Sequence, residues 1–445
     1  MHSLQIVQTP LHALRKRERN ARTHSKKQIR QIAASIQRFG FNNAILTDDN
    51  LEIIAGHGRF EAAKLLGLTT VPTVCLSHLN EADRRAYVLA DNQLATKAGW
   101  DKEILALELQ GLIDLGFEVE LTGFETAEID IILDIQNEAA GSVVEPEDQQ
   151  VEPGVFAVSR PGDIWVLGRH SVLCGDARSP ASYASLLGDE KADLVFTDPP
   201  YNVPIDGNVC GLGQIKHREF TMASGEMSET AFTEFLRSAL GEAKRVSRDG
   251  ALHYVFMDWR HLHELFTAGR QVYDDIVNLC VWNKSNAGMG SFYRSKHELV
   301  LIFKVGEAAH TNTIELGKHG RNRSNVWDYA GVNCFGSNRL DELAMHPTVK
   351  PVALIADALK DASKRSEIVL DPFCGSGSTI IAAEKVGRRA RAIEIDPAFV
   401  DVIVRRWQTY SGKRAVLQKD GFSFEEAEEC RRASASQHQN CEVAA

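Results

Sequence analysis

The chain has 445 residues, 44% hydrophobic and 25% charged, which is the composition of a globular protein of about two domains rather than of a single core. No apolar run approaches the ~18 residues of a membrane span, no apolar stretch follows the N-terminal charges as in a secretory signal, and the eight cysteines show neither C-x-x-C nor zinc spacing, so a cytoplasmic protein with reduced thiols and no metal is expected. The net charge of −10 is unevenly spread: residues 103–159 carry fourteen acids and no Lys or Arg, and without them the remainder is net positive, an asymmetry that suits a polyanion partner.

Residues 1–95 open with nine Lys/Arg against one acid in the first forty positions. Ser25 is placed to cap a helix over 26–38, with Ile29, Ile32, Ala33 and Ile36 on one face and Gly40 ending it. Strands are expected at 44–47 and 51–55 around a turn at Asp48–Asn50. Gly56-His57-Gly58-Arg59 then leads into a helix over 60–66, and 81–95 is a further helix. Apolar positions at Ile104, Leu105, Leu109 and Leu112, then Ile129, Ile132 and Leu133, make 96–140 a helical connector, and the small, acidic, Pro/Gly-bearing stretch 141–153 reads as a linker.

From 154 to 420 short apolar runs alternate with helical patterns. Strands are expected at 192–197, 251–257, 276–282, 299–303, 367–370 and 391–395, and helices at 351–364, 378–386 and 397–410. Continuous apolar strands separated by helices predict an α/β domain with a parallel, doubly wound sheet. The polar segment 421–445 reads as a disordered tail.

Two motifs sit where such a sheet binds ligands, just beyond the carboxyl ends of strands. Asp198-Pro199-Pro200-Tyr201 follows the apolar run Leu194-Val195-Phe196, and its prolines fix the backbone that carries the carboxylate. Asp371-Pro372-Phe373-Cys374-Gly375-Ser376-Gly377-Ser378-Thr379 lies between a strand and a helix, where glycines let a nucleotide-like cofactor approach the backbone. It contains no G-K-[ST] element for a phosphate loop. Glu394, at the end of the next strand, is suited to accept from ribose hydroxyls, and Asp396 to cap the helix that Pro397 begins.

Together these residues resemble the β class of DNA amino-methyltransferases. DPPY matches the catalytic motif, DPFCGSGST with AIEID the S-adenosylmethionine site, and the order, DPPY about 170 residues before the glycines, is the permuted one of that class. His346-Pro347-Thr348-Val349-Lys350-Pro351 matches its HPTxKP signature, and Cys174-Gly175-Asp176 its acidic element near the cofactor adenine. The resemblance implies a Rossmann-like methyltransferase fold over 154–420. It implies that Asp198, Pro199, Pro200 and Tyr201 grip the target amine and base, and that Phe373, Gly375, Gly377 and Glu394 hold S-adenosylmethionine with Asp176, Asp371 and Lys350 nearby.

The chemistry fits that motif. An exocyclic base amine is a poor nucleophile, and two acceptors on its N–H bonds favour a more pyramidal nitrogen and offset charge as the methyl arrives. Tyr201 offers a face for a flipped base. No Pro-Cys dipeptide occurs, which disfavours covalent attack on a cytosine ring carbon. The expected activity is site-specific transfer to N6 of adenine in double-stranded DNA, as in restriction-modification enzymes. N4 of cytosine stays open, as does a ParB-like DNA-binding protein with a silent methyltransferase; the motif order argues against a protein-glutamine or RNA substrate. Residues 203–344 are the expected target-recognition segment, where Lys284, Arg294, Lys296, Lys318, Arg321 and Arg323 mix with Trp282, Phe292, Tyr293, Trp327 and Tyr329. A homodimer is compatible with that class.

Residues 4–95 resemble the ParB/sulfiredoxin-like domain, a small α+β unit. ParB proteins carry a GERR element that handles CTP phosphates; here Gly56-His57-Gly58-Arg59 lacks the acid and one arginine, which argues against CTP hydrolysis while a nucleotide or other anion stays open. The loop has no cysteine for sulfiredoxin chemistry. A DNA-engaging or allosteric accessory module is the expectation.

Overall fold

The computed structural model describes residues 4–17, 22–139, 154, 156–203, 223, 225–285, 293–314, 316, 322–330 and 349–443. The chain divides into two compact units, Met1–Gly141 and Ser142–Ala445.

The first unit is α+β. Strands β1 (Ile6–Pro10), β2 (Ile45–Thr47), β3 (Ile53–Ala55) and β4 (Thr70–Cys75) form a sheet in the order β1-β4-β2-β3, parallel only between β2 and β4. Helix α1 (Lys26–Phe39) starts where Ser25 accepts from the Gln28 amide at 3.1 Å and stops at Gly40, whose φ of 86° a side-chain-bearing residue rarely adopts. Helix α2 (His57–Leu65) begins inside the GHGR element itself, at Gly56 with φ 104°. Leu11, Leu14, Ile45, Ile53, Phe60, Ala63 and Val71 form the core. After α3 (Glu81–Lys97), α4 (Lys102–Asp114) and α5 (Thr126–Ala139) pack on each other through Leu105, Leu109, Val119 and Ile129. The proposed linker, 141–153, lies outside the described residues.

The second unit holds a ten-stranded sheet in the order β11-β9-β10-β8-β7-β12-β13-β6-β5-β14. Its strands are β5 (Ile164–Leu167), β6 (His170–Cys174), β7 (Ala192–Thr197), β8 (Ser247–Met257), β9 (Asp275–Asn283), β10 (His297–Lys304), β11 (Val326–Asp328), β12 (Ile368–Asp371), β13 (Arg389–Glu394) and β14 (Val416–Leu417). The helices are α6 (Pro180–Leu187), α7 (Glu229–Arg245), α8 (Leu262–Val272), α9 (Val352–Ala362), α10 (Ser378–Lys385), α11 (Pro397–Ser411) and α12 (Phe424–Val443). Side chains alternate across the strands. In β7, Leu194 and Phe196 join a core with α9, α10 and α11, whereas Val195 faces α6 and α7 through Tyr183, Leu186 and Ala243. The result is three layers, with the central strands β7, β8 and β12 buried on both faces.

Two expectations are corrected. The sheet is mixed rather than parallel: β6, β13, β12, β7 and β8 run parallel, but β10 pairs antiparallel with both β8 and β9. β9 and β10 are both largely apolar runs, β10 buried on both faces and β9 chiefly through Cys280 and Trp282, and an apolar run does not encode strand direction. The expected disordered tail instead begins as α12. Phe424 is 1% exposed with its ring 5.2 Å from that of Trp165, and Arg431 reaches Asp163 at 2.5 Å. Those anchors outweigh the polar composition.

Candidate active site

Four neighbouring parallel strands, β7, β12, β13 and β6, end side by side, and each delivers one of the singled-out acids. Asp198 follows β7, Asp371 closes β12, Glu394 closes β13, and Asp176 follows β6 by two residues. The Gly175 amide donates to the Glu394 carbonyl at 2.9 Å, which fastens the last two strand ends together. Motifs some 170 residues apart in the chain thus share one edge of the sheet.

Around Asp198 the side chains form a closed polar cluster. Tyr201 Oη donates to Asp198 Oδ1 at 2.5 Å, and Lys350 Nζ donates to Asp198 Oδ2. Glu298, the second residue of β10, accepts at Oε2 from Tyr201 Oη and Lys350 Nζ, both at 3.0 Å, and at Oε1 from Lys284 Nζ. Lys350, 5% exposed, lies 5.1 Å from the Phe256 ring, 5.6 Å from Tyr201 and 6.0 Å from Trp282, so a buried cation is held by two carboxylates within aromatic walls. Burial, with the Glu298 charge beside it, holds the Asp198 carboxyl above its ordinary value against the pull of Lys350. Burial would also raise Glu298, but the ammonium groups of Lys350 and Lys284 bring it down to about 2. Tyr201 is pushed well above the usual phenol value by burial and both carboxylates and is therefore a neutral donor. Asn202, at φ 54°, holds the chain just after the motif: its side chain donates to the Met227 carbonyl and accepts from the Gly225 and Met227 amides.

The second half of the site is the turn between β12 and α10. Gly375 and Gly377 have φ of 54° and 87°, and a Cβ on Gly377 would press on Ile403 at 3.1 Å. Glu394 accepts the Gly375 amide at Oε2 and the Asp396 amide at Oε1, which leaves each oxygen a lone pair, and burial pushes it up to about 7. Phe373 is half-buried with its ring 5.9 Å from Phe235. A backbone turn open to close approach, an aromatic edge and a carboxylate with spare acceptor capacity fit an adenosine-bearing cofactor. Asp371 serves differently: its oxygens accept from Thr197, Thr379 and the Phe373 amide at 2.6–3.2 Å, so it ties β12, β7 and α10 together, and burial pushes it up to about 6. Asp176 is held by Arg178 at 2.7 and 3.1 Å. Asp396 caps α11 through the Ala398 amide.

Among the cations expected on DNA, Lys284 turns inward to Glu298, and Arg323 is committed to Asp361 at 2.9 Å and to Tyr329 at 3.0 Å. Arg294 and Lys296 are exposed. Lys318, Arg321, Phe292 and His346–Thr348 lie outside the described residues. In the first unit Arg59 is half-buried, and with Gln28, Gln31, Ser35 and Asn42 it lines a cavity of about 630 Å³. Two residues escaped the sequence analysis, Glu298 and Asn202. The signal for Glu298 was a single acid within the apolar run of β10, since a charge buried in a sheet needs partners.

A family model described as DNA methylase matches residues 192–405, one described as ParB N-terminal domain matches 1–93, and one described as ParB-methyltransferase HTH domain matches 103–161. The last covers most of the stretch expected to be connector and linker. Among curated relatives, the chain is 25% identical over 234 residues to the type II methyltransferase M.HpaI of Haemophilus parainfluenzae, across 49% of this chain and 69% of that one. It is 26% identical over 232 residues to the type II methyltransferase M.HinfI of Haemophilus influenzae, across 49% and 63%. Among solved structures, the PvuII DNA methyltransferase, described as cytosine-N4-specific, aligns at 15% identity and a TM-score of 0.41 over 58% of this chain and 90% of that one.

Proposed function

Because the chain belongs to the DNA methylase family through residues 192–405 and carries a ParB N-terminal domain ahead of them, we propose that it methylates N6 of adenine in duplex DNA with S-adenosylmethionine as the methyl donor. The observation that carries this reading is the placement of Asp198 and Tyr201 one strand from the Gly375–Gly377 turn and two from Glu394. S-adenosylmethionine, when bound, supplies an electrophilic methyl group. Gly375, Gly377, Phe373 and Glu394 would hold it, with Glu394 accepting from the ribose hydroxyls.

The target base is flipped from the duplex and lies against Tyr201, at an unstacking cost of a few kcal/mol. Asp198 and the Pro199 carbonyl take its two amine N–H groups, which raises electron density at nitrogen and offsets the positive charge that develops there. Transfer is direct. The described cysteines nearest the motifs, Cys174 and Cys374, are buried and their thiols pushed up, Cys174 to about 12, so neither offers a thiolate. The preference for adenine rests on the aspartate that opens the motif. Asp198→Ala should bind the cofactor with wild-type affinity and transfer no methyl group; transfer at the wild-type rate would remove Asp198 from the mechanism.

For the first unit the proposal is a DNA-engaging or allosteric module with an anion or nucleotide at Gly56–Arg59. The half-buried guanidinium of Arg59, whose Nε has no hydrogen-bond partner among the described residues, beside a polar cavity supports it. Calorimetric titration with CTP and with pyrophosphate tests it, and absence of binding by both rejects it.

A further inference from the structure

Each oxygen of Asp198 already accepts one internal donor, Tyr201 at one and Lys350 at the other. A lone pair is left on each, but a carboxylate that already serves a phenol and an ammonium is a weakened acceptor, and an incoming amine meets its full strength only if an internal donor lets go. A buried donor deprived of its acceptor is expensive, so release depends on a second acceptor within reach. Glu298 Oε2 lies 3.0 Å from Tyr201 Oη and 3.0 Å from Lys350 Nζ. The phenol has a single proton and two carboxylates competing for it; rotation about its C–O bond changes which one receives it.

Resting on the functional reading above, we propose that Glu298 is the reserve acceptor of the site, a positioning residue that takes Tyr201 and Lys350 over from Asp198 when the target amine arrives. Three features fit it for that task. It is 6% exposed on β10, paired in register with Trp282, so its carboxylate is held in place by the sheet. Lys284 occupies its other oxygen and offsets its charge, keeping Oε2 available to the two shared donors. Both donors lie between the two carboxylates, so the exchange needs no large rearrangement. Asp198 keeps its charge throughout, and no proton leaves the cluster.

The test has two arms on the full chain. In the first, Glu298→Gln should lower the methylation rate constant by roughly ten- to a hundred-fold while cofactor affinity stays within about two-fold of wild type. In the second, thermal unfolding of Asp198→Asn, Glu298→Gln and the double variant should be non-additive. The double variant should lose at least about 3 °C beyond the sum of the singles, because the buried Lys350 then loses the charge of both carboxylates that hold it. Adding Lys350→Met should recover that loss, which also distinguishes a stranded charge from a general failure to fold. Additive unfolding temperatures overturn the proposal whatever the rates, and an unchanged rate in Glu298→Gln overturns it as well. If the wild-type protein methylates no DNA, the functional reading falls, and the unfolding arm still decides whether Glu298 receives what Asp198 releases.

Discussion

Replacing Glu394 by glutamine should weaken S-adenosylmethionine binding and flatten its pH dependence between pH 6 and 8. Each carboxylate oxygen already accepts one backbone amide, from Gly375 at 2.8 Å and Asp396 at 2.9 Å, and has one lone pair left for a ribose hydroxyl. Burial raises the group from 4.5 to about 7, so near neutrality about half the free protein carries a proton there. With the anion as the binding form, affinity falls about two-fold from its limit at pH 7 and about ten-fold at pH 6. Glutamine keeps the shape and loses the charge-assisted acceptance, worth about 1.5–3 kcal/mol, or roughly ten- to a hundred-fold in Kd. The sign for folding is opposite: the native state holds an extra proton between 4.5 and about 7, so stability of the cofactor-free protein falls as pH rises through that window. Calorimetric titration at several pH values is the assay. Because the ligand's amino group itself titrates near ~8, the informative quantity is the wild-type to variant ratio of Kd at each pH. A ratio constant from pH 6 to pH 8 would refute the assignment of Glu394 and its raised pKa to the cofactor site.

Further outcomes follow from the same geometry. Gly377→Ala forces a Cβ at φ 87° against Ile403 and should cost about 1–3 kcal/mol in chemical denaturation while weakening the cofactor; a neutral substitution would mean that the turn has another conformation in solution. Cys374→Ala should retain methyl transfer within about ten-fold, and a loss beyond about a hundred-fold would point to a covalent route. Phe424→Ala should destabilise the second unit by about 3–5 kcal/mol, measured by urea unfolding, because the ring is buried against Trp165; an effect within ~0.5 kcal/mol would show that α12 is not anchored there.

The sequence was most readable where local rules act alone. Ser25 and Gly40 bounded α1 because capping depends on a few adjacent residues. The strand–turn–helix around Gly375 was readable because only glycine is comfortable at its φ values. Strand direction was not, since β9 and β10 are apolar on both faces whichever way they run, and the antiparallel half of the sheet is set by tertiary pairing. The inward turn of Lys284 was hidden for a related reason. A lysine among aromatics in a polar segment is also what a phosphate-gripping surface looks like, and only the fold brings Glu298 beside it. Asp371 reads as a cofactor neighbour from its position; that it also braces the strands, through Thr197 and Thr379, only the fold reveals, since one of those partners lies on another strand. The tail was misjudged because composition averages over a segment, whereas one phenylalanine and one arginine suffice to anchor a helix.

The most direct test is to incubate the full-length protein with unmodified DNA and methyl-labelled S-adenosylmethionine and to analyse the digested DNA by nucleoside mass spectrometry. Label in N6-methyldeoxyadenosine, abolished by Asp198→Ala, is the predicted result. Label in N4-methyldeoxycytidine would contradict the adenine assignment, and no label on DNA while the cofactor remains bound would contradict the proposed function itself.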